Sequence, residues 1–426
     1  MTPKYPLATS SWDQAEYNAL DRVIKSNQFS MGAEVRAFEE QFARQFGSKY
    51  AVMVNSGSSA NLLIVAALRY TQNDKFKILE GAEIIVPAVS WSTTYFPLQQ
   101  YGLKLKFVDV DLNTLNYNIK ALKDAVTDET RAVMVVNLLG NPNDFDAINN
   151  IIDGRKIVMI EDNCESMGAT FNGRQAGTFG VAGSFSGFFS HHISTMEGGI
   201  CVTDDEELYH LMLSIRAHGW TRNLPKFNKV TGEKSDDPFE ESFRFVLPGY
   251  NLRPLEMSGA LGLEQLKKLP DLIDGRRSNG KLVQQKLSDH PRFMIQQEIG
   301  DSSWFGFSLV LRSSNEVLRK YFEKKLNEWS SITSGLFWRR LHPVYFKVTD
   351  WRGSIWCVDF KNLSFNESTK KKDYDISISS QPLNYAFSTP FGIQTLGVSG
   401  RYKFNPKYKN VPLNWRLLRI LSSLYN

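Results

Sequence analysis

The stretch Ala132–Asp162, AVMVVNLLGNPNDFDAINNIIDGRKIVMIED, decides the fold. Two almost continuously apolar runs, AVMVVNLL (132–139) and KIVMIED (156–162), flank a run with helical spacing, DFDAINNIID (144–153). Strands that stay apolar instead of alternating are buried on both faces, and helices between them indicate a mostly parallel sheet. The same unit recurs outward. Toward the amino terminus stand YAVMVN (50–55), EIIVP (83–87) and KLKFVDV (104–110), with helical runs in ANLLIVAALRY (60–70) and NIKALKDAVT (118–127). Residues 13–46 read as helix with a break near Ser30–Gly32; the apolar stripe includes Leu20, Val23, Ile24, Phe38 and Phe42. Toward the carboxyl terminus, RPLEMSGALGLEQLKKL (253–269) reads as a helix and a basic helical stretch begins near Arg276. SWFGFSLVL (303–311) and EVLRKYFEKKLNEW (316–329) read as a strand and a helix. An α/β protein is expected, with a large domain over residues 1–255 around the sheet and a smaller α/β domain over 256–426.

A chain of 426 residues with 42% hydrophobic and 22% charged side chains is globular, neither disordered nor collagen-like. Its three cysteines, Cys164, Cys201 and Cys357, are too few and too scattered for a disulfide framework or a four-thiolate cluster. The start, MTPKYPLATSSWDQAEY, lacks a basic region followed by an apolar one, and no apolar run approaches transmembrane length. A cytoplasmic protein is expected. The formal charge of +5 is unevenly spread: from residue 331 onward there are 14 basic and 5 acidic side chains, against 36 and 40 before it. Read as a nucleic-acid patch, that basic tail predicts strongly salt-dependent binding.

Ser56-Gly57-Ser58-Ser59 joins an apolar strand to a helix. Such a turn presents amides and hydroxyls to a phosphate at a helix start, or serves only as an N-cap. Asp162 closes an apolar strand, at the end of a parallel sheet where ligands bind. It either pairs with a protonated ring nitrogen or caps the next helix. Glu165 is a second carboxylate or half of a capping pair. Residues 184–199, SFSGFFSHHISTMEGG, gather small and hydroxyl residues, His191, His192 and a Glu-Gly-Gly turn. Adjacent histidines rarely serve one metal ion and HExxH spacing is absent, so one ring as a base and the other as packing competes with two structural rings. Trp91 stacks on a planar group or packs; Asn251 contacts a phosphate or orders its turn. Arg216, His218 and Arg222 form a partly basic loop suited to an anionic substrate.

In this order, the segments NSGSSAN (55–61), IEDNCESMGA (160–169), SHHISTMEGG (190–199), RAHGWTRNLP (216–225) and LPGYNLRPLEMSGALGLEQLKKLP (247–270) resemble the DegT/DnrJ/EryC1/StrS family of fold-type I pyridoxal-phosphate enzymes. The resemblance covers about residues 5–330. It implies pyridoxal phosphate (PLP) and its amine form, pyridoxamine phosphate (PMP), as cofactor. It also implies a homodimer with shared active sites. By this resemblance Gly57 and Ser58 supply phosphate contacts, Trp91 packs on the ring, Asp162 binds its nitrogen and Glu165 lies beside it. Ser186 reaches the phosphate, and Asn251 joins the same pocket from the partner subunit; His218 and Arg222 are candidates for the substrate or glutamate side. Aminotransferases of the family bind the cofactor covalently through a lysine six residues before the glutamate of Glu-Gly-Gly. Here that position is His191. The resemblance therefore implies a branch of 3-dehydratases in which His191 is the base. The implied substrate is GDP-4-keto-6-deoxy-D-mannose, on the way to GDP-L-colitose, with L-glutamate as amino donor. No metal and no reductase partner are expected. An iron–sulfur-dependent CDP-4-keto-6-deoxyglucose 3-dehydrase, a nucleotide-sugar aminotransferase and an inactive sugar-nucleotide-binding homologue are the alternatives.

After Trp329 the family pattern weakens together with charge balance, aromatic content and helical periodicity. A displaced reading frame near residue 329 or a divergent extension explains this, and the nucleotide sequence across that point distinguishes them.

Overall fold

The structure is a computed structural model that describes residues 9–291 and 293–311, with shorter stretches between 343 and 404. The chain divides into two compact units, Met1–Val310 and Leu311–Asn426.

In the first unit seven strands form one sheet: β1 (Tyr50–Val54), β2 (Glu83–Pro87), β3 (Lys104–Val108), β4 (Thr130–Val136), β5 (Val158–Asp162), β6 (Ala182–Ser186) and β7 (Gly199–Thr203), in the order β1-β7-β6-β5-β4-β2-β3. Neighbours from β6 through β5, β4 and β2 to β3 are parallel, whereas β7 runs antiparallel to both β6 and β1. The helices are α1 (Gln14–Ser26), α2 (Ala33–Phe46), α3 (Gly57–Tyr70), α4 (Ser92–Gln100), α5 (Ile119–Ala125), α6 (Phe145–Ile152), α7 (Glu206–Ile215), α8 (Pro238–Phe243) and α9 (Glu256–Leu287). They cover both faces of the sheet. Val52 and Val54 pack with Leu63 and Ile64 of α3 and Leu211 and Met212 of α7. Ala51 and Met53, one residue out of phase, meet Phe38 and Phe42 of α2 and Leu266 and Leu269 of α9. Further along the sheet, Val133 and Val135 bury Phe145 and Ile148 of α6. This two-sided burial explains strands without polar alternation.

The expected break in the first helix falls at Asn27, whose left-handed backbone (φ 56°) ends α1. Two expectations need correction. The helical runs near 253 and 276 form one helix, α9, which continues through Pro270 because Leu266, Leu269 and Ile273 on its inner face stay buried against the core. SWFGFSLVL is a strand only at Leu309–Leu311, because Trp304 adopts a left-handed backbone (φ 47°) that no strand accommodates.

In the second unit, the described strands Ser364–Glu367, Ile355–Asp359, Val344–Val348, Ile376–Ile378 and Tyr402–Phe404 lie side by side in that order. Val344, Phe346 and Val348 are buried and alternate with more exposed neighbours. The helix expected at 316–329 and most of the atypical tail lie outside the described residues. Among the described residues no helix is long and apolar enough to cross a membrane.

Candidate active site

Asp162 is the last residue of β5, at the carboxyl end of the parallel strands, and is 5% exposed. Its Oδ2 accepts hydrogen bonds from Asn61 Nδ2 (2.8 Å) and Thr94 Oγ1 (2.7 Å), and its Oδ1 accepts from the Cys164 backbone N–H (3.1 Å). Ser184 Oγ in turn donates to Asn61 Oδ1 at 2.6 Å, which turns the Asn61 amide toward the carboxylate. All three donors are neutral, and Asp162 forms no ion pair among the described residues. A buried carboxylate held this way is oriented but keeps its charge uncompensated.

Beside it, the strand–helix turn after β1 opens α3. Ser56 is the N-cap, accepting from the Ser59 N–H at 3.1 Å, and Ser58 Oγ donates to Thr93 Oγ1 at 2.9 Å. Gly57 faces Ser186, the last residue of β6: a Cβ on Gly57 would lie 2.8 Å from Ser186 Cβ and 2.9 Å from Cys164 Sγ. Gly199, first residue of β7, abuts the Ser56 main chain. The α3 amino terminus, Ser58 and Ser186 thus form one small cradle, in which the Gly57 and Ser58 N–H groups have no acceptor among the described residues, at the positive end of the helix dipole.

The loop between β6 and β7 carries the histidines. The Gly187 N–H donates to Gly198 O (2.9 Å) and the Phe189 N–H to Met196 O (3.1 Å), which close its base. Thr195 Oγ1 donates to Gly187 O (3.0 Å), Trp12 Nε1 to Ser194 O (3.1 Å), and the Ser194 N–H to Gln265 Oε1 (2.9 Å), which tie it to the body. Among the described residues His191 Nδ1 is enclosed without a hydrogen-bond partner, leaving Nε2 as the ring nitrogen that can meet a ligand. Burial pushes the His191 imidazole down to about 4; Arg276 adds to this and the negative charge of Asp162 opposes it. His191 is therefore a neutral imidazole near pH 7. His192 is buried, with Nε2 3.2 Å from Ser303 O, and burial pushes it down to about 3.

Glu165 Oε2 accepts from the Leu139 N–H (3.0 Å); burial pushes its carboxyl up, against that hydrogen bond and aided by the charge of Asp162. Trp91 caps α4 and is 69% exposed, with its indole free of the protein core. His218, Arg222 and Asn251 form a separate group. The His218 N–H donates to Tyr250 O (2.7 Å), Ala217 pairs with Asn251 in an isolated bridge, and Arg222 lies 6.0 Å from the centre of the Trp220 ring. This group joins the cradle through the main chain, where the Asn55 N–H donates to Leu252 O at 3.0 Å. Arg216 does not belong to it. Its guanidinium is buried, paired with Glu39 at 2.5 Å and bonded to Met53 O at 2.6 Å, so it braces β1 and is closed to an anionic substrate.

Three observations fit a pyridoxal-phosphate group. Asp162 offers an uncompensated carboxylate to a ring N–H⁺, the α3 amino terminus with Ser186 offers donors to a phosphate, and His191 stands near enough to Asp162 to feel its charge. Asn61, Thr94 and Ser184, which hold Asp162, are absent from the sequence-derived set. A lone asparagine inside the apolar run ANLLIVAAL, four residues after Gly57, was the available signal. Among the described residues no group of three His, Cys, Asp or Glu side chains could hold a metal ion.

Comparison with known proteins agrees with this geometry. A GDP-4-keto-6-deoxy-D-mannose 3-dehydratase of Escherichia coli is 62% identical over 350 residues, 81% of this chain and 90% of the relative. The solved structure of the E. coli GDP-4-keto-6-deoxy-D-mannose-3-dehydratase with bound hydrated PLP superposes with a TM-score of 0.73 at 64% identity, covering 76% of this chain and 83% of that one. A structure of such an enzyme with a trapped PLP–glutamate geminal diamine matches equally well, with a TM-score of 0.73, 64% identity and coverage of 76% and 84%. The model of the DegT/DnrJ/EryC1/StrS aminotransferase family matches residues 10–353, past Trp329, where the sequence pattern changes. This chain belongs to the DegT/DnrJ/EryC1/StrS aminotransferase family.

Proposed function

We propose that this chain removes the C3 hydroxyl of GDP-4-keto-6-deoxy-D-mannose, using PLP/PMP and consuming L-glutamate. The observation that carries this is the coexistence of His191 with the Asp162 and α3-turn cradle. An imidazole stands where the family's aminotransferases have lysine, while Asp162 and the α3 turn keep the environment a pyridoxal ring needs. Relatives above 60% identity bear the name of this activity.

When bound, the cofactor supplies an amine that condenses with the C4 ketone and a ring that takes up the electron pair released at its methylene carbon. Asp162 holds the ring nitrogen protonated, so that this electron pair is withdrawn. Gly57, Ser58 and Ser186 bind the phosphate, Trp91 covers the ring, and Glu165 lines the pocket beside it. Nε2 of His191, neutral at working pH, takes the proton whose departure precedes loss of the C3 hydroxyl, and as imidazolium it can return a proton. In the net reaction glutamate and the sugar give 2-oxoglutarate, ammonia and GDP-4-keto-3,6-dideoxy-D-mannose. Oxidation of glutamate provides the two electrons that the deoxygenated sugar gains.

His218 and Arg222 face the sugar or glutamate side in this proposal. The chain works as a homodimer, with Asn251 completing the partner's phosphate pocket. In support, Asn251 is exposed in its own subunit, and Phe29 and Leu255 leave apolar surface close by, where Ser30 bridges to Leu255. The product suits L-colitose formation for O-antigen lipopolysaccharide, carried out in the cytoplasm. The test is incubation with PLP, glutamate and the GDP sugar, followed by mass analysis. Loss of the 3-hydroxyl without any reductase is expected; a 4-amino sugar would reveal transamination instead. Light scattering should give a dimer, and full activity in a monomer would reject the shared site.

A further inference from the structure

Trp304 and Phe305 sit in a turn held by the turn after β4 and by α9. Trp304 has a left-handed backbone (φ 47°) and is 3% exposed. Leu139, in the turn after β4, is also left-handed (φ 57°). The two turns are zipped together: the Ser303 N–H donates to Gly140 O (2.9 Å) and the Phe305 N–H donates to Leu139 O (3.1 Å). A Cβ on Gly140 would lie 2.4 Å from Trp304 N, so only glycine permits the approach. From α9, Arg276 Nη1 donates to Trp304 O (3.1 Å) and Phe305 O (3.2 Å), and one turn later Gly280 leaves room for the Trp304 indole, 2.6 Å from where its Cβ would be. Arg276 forms no ion pair among the described residues. Its cation is spent on two carbonyls.

Two non-glycine residues at positive φ, fixed by two hydrogen bonds donated from one turn to the other and by a half-buried guanidinium, are strain that surrounding structure over-determines. What the strain holds in place is the Phe305 ring. Its centroid is 4.9 Å from that of His191 at 58° and 5.7 Å from that of His192, while Ser303 O meets His192 Nε2. Among the described residues the His191 ring makes no hydrogen bond that orients it, its Nδ1 being buried without a partner; Phe188 flanks it edge-on at 5.7 Å. Its orientation therefore rests on packing.

We propose that Phe305 and Arg276 are positioning residues for the base: Phe305 fixes the plane of the His191 ring and shuts out water, and Arg276 locks the turn that presents Phe305. This rests on His191 being the base, as proposed above. Beside burial, the charged groups that act on His191 are Asp162 from β5, which opposes the lowering, and Arg276 from α9, which adds to it; His192 is its titratable neighbour in the loop.

The test compares Phe305→Leu, Phe305→Tyr, Arg276→Met and Arg276→Lys with His191→Asn in the full chain. Phe305→Leu and Arg276→Met should lower kcat roughly 10–100-fold with KM for the sugar changed less than about twofold, as for a misplaced group that touches no substrate. Phe305→Tyr and Arg276→Lys should recover most of that loss. In the protein without added cofactor, NMR titration of the His191 ring should move toward ordinary histidine in Phe305→Leu and Arg276→Met. Adding Phe305→Leu to His191→Asn should cost nothing further, because the two act through one ring. A multiplicative loss in that double variant, or an unmoved His191 titration, overturns the clamp while leaving the base intact. Full turnover in His191→Asn would overturn the base itself.

Discussion

Gly199 and Ser56 touch main chain to main chain: a Cβ on Gly199 would stand 2.0 Å from the Ser56 carbonyl oxygen and 2.7 Å from Gly57 N. Neither neighbour is a side chain that can swing away. Gly199→Ala should therefore cost about 1–3 kcal/mol of stability, the usual penalty for overpacking. The cofactor should bind more weakly as well, because the strain falls on the turn that opens α3. Urea unfolding and a PLP titration measure both, and an unchanged midpoint would mean the contact is slack.

Asn61 and Thr94 share one oxygen of Asp162. Removing either donor, as in Asn61→Leu or Thr94→Val, leaves a buried carboxylate oxygen with one partner fewer, which typically costs about 1–3 kcal/mol. Cofactor affinity and turnover should fall together. Asp162→Asn should lower turnover much further than cofactor affinity, since it removes the charge and retains the shape; equal losses would argue that Asp162 only shapes the pocket.

His191→Asn should retain PLP binding by absorbance and lose about 10²–10⁴-fold in dehydration, the typical share of a general base. Because burial lowers the wild-type imidazole to about 4, its lone pair is available throughout the neutral range. Activity that depends on it should fall only as the pH drops toward 4, well below the 6.5 of an ordinary histidine. An acidic limb of kcat/KM centred near 6.5 would contradict this.

His192 makes a pH-dependent contribution to stability. Its folded value, about 3, lies below the ordinary 6.5. Between those limits the unfolded chain binds a proton that the folded protein refuses, so stability rises with pH across that window and drops on acidification. Urea unfolding at pH 4.5 and pH 7 should show the difference, and His192→Asn should flatten it.

The carboxylate of Glu256, at the start of α9, accepts hydrogen bonds from the backbone N–H groups of Gly32 (2.6 Å), Glu34 (2.7 Å) and Val35 (3.3 Å), capping α2 from another element. Glu256→Ala should destabilise the protein by about 1–3 kcal/mol, the cost of leaving such donors unmet. Thermal unfolding checks this.

The sheet is legible because β2, β4 and β5 each carry an unbroken apolar run, Ile84–Val86, Ala132–Val136 and Val158–Ile160, which two-sided burial favours. The β6–β7 pair is not. AGSFS and GICVT are short and rich in small residues, because they lie against the α3 turn where the chains must approach closely, and that composition hides strand character. At the Trp304 turn aromatic residues favour a strand, but hydrogen bonds donated by Arg276 of α9 and hydrogen bonds donated to the turn after β4 override the propensity. In the candidate site, position singles out Asp162 and rarity singles out the His191–His192 pair, while the choice of His191 comes from the family resemblance. Asn61 and Thr94 are not singled out, since a polar residue in an amphipathic run gives no sign of the distant partner it will face. Arg216 misled for the converse reason: nothing in its neighbourhood in the sequence reveals Glu39, 177 positions away.

The segment from Gly187 to Gly198 is fastened at both ends, by the β6–β7 pairing of Ser186 with Gly199 and by the bonds that close its base. A tether of fixed span makes residue count the inherited quantity. Substitutions along it can drift, but inserting or deleting even one residue shifts every later side chain in phase and carries the imidazole away from its target. Natural variation here should accordingly be rich in spelling and poor in length.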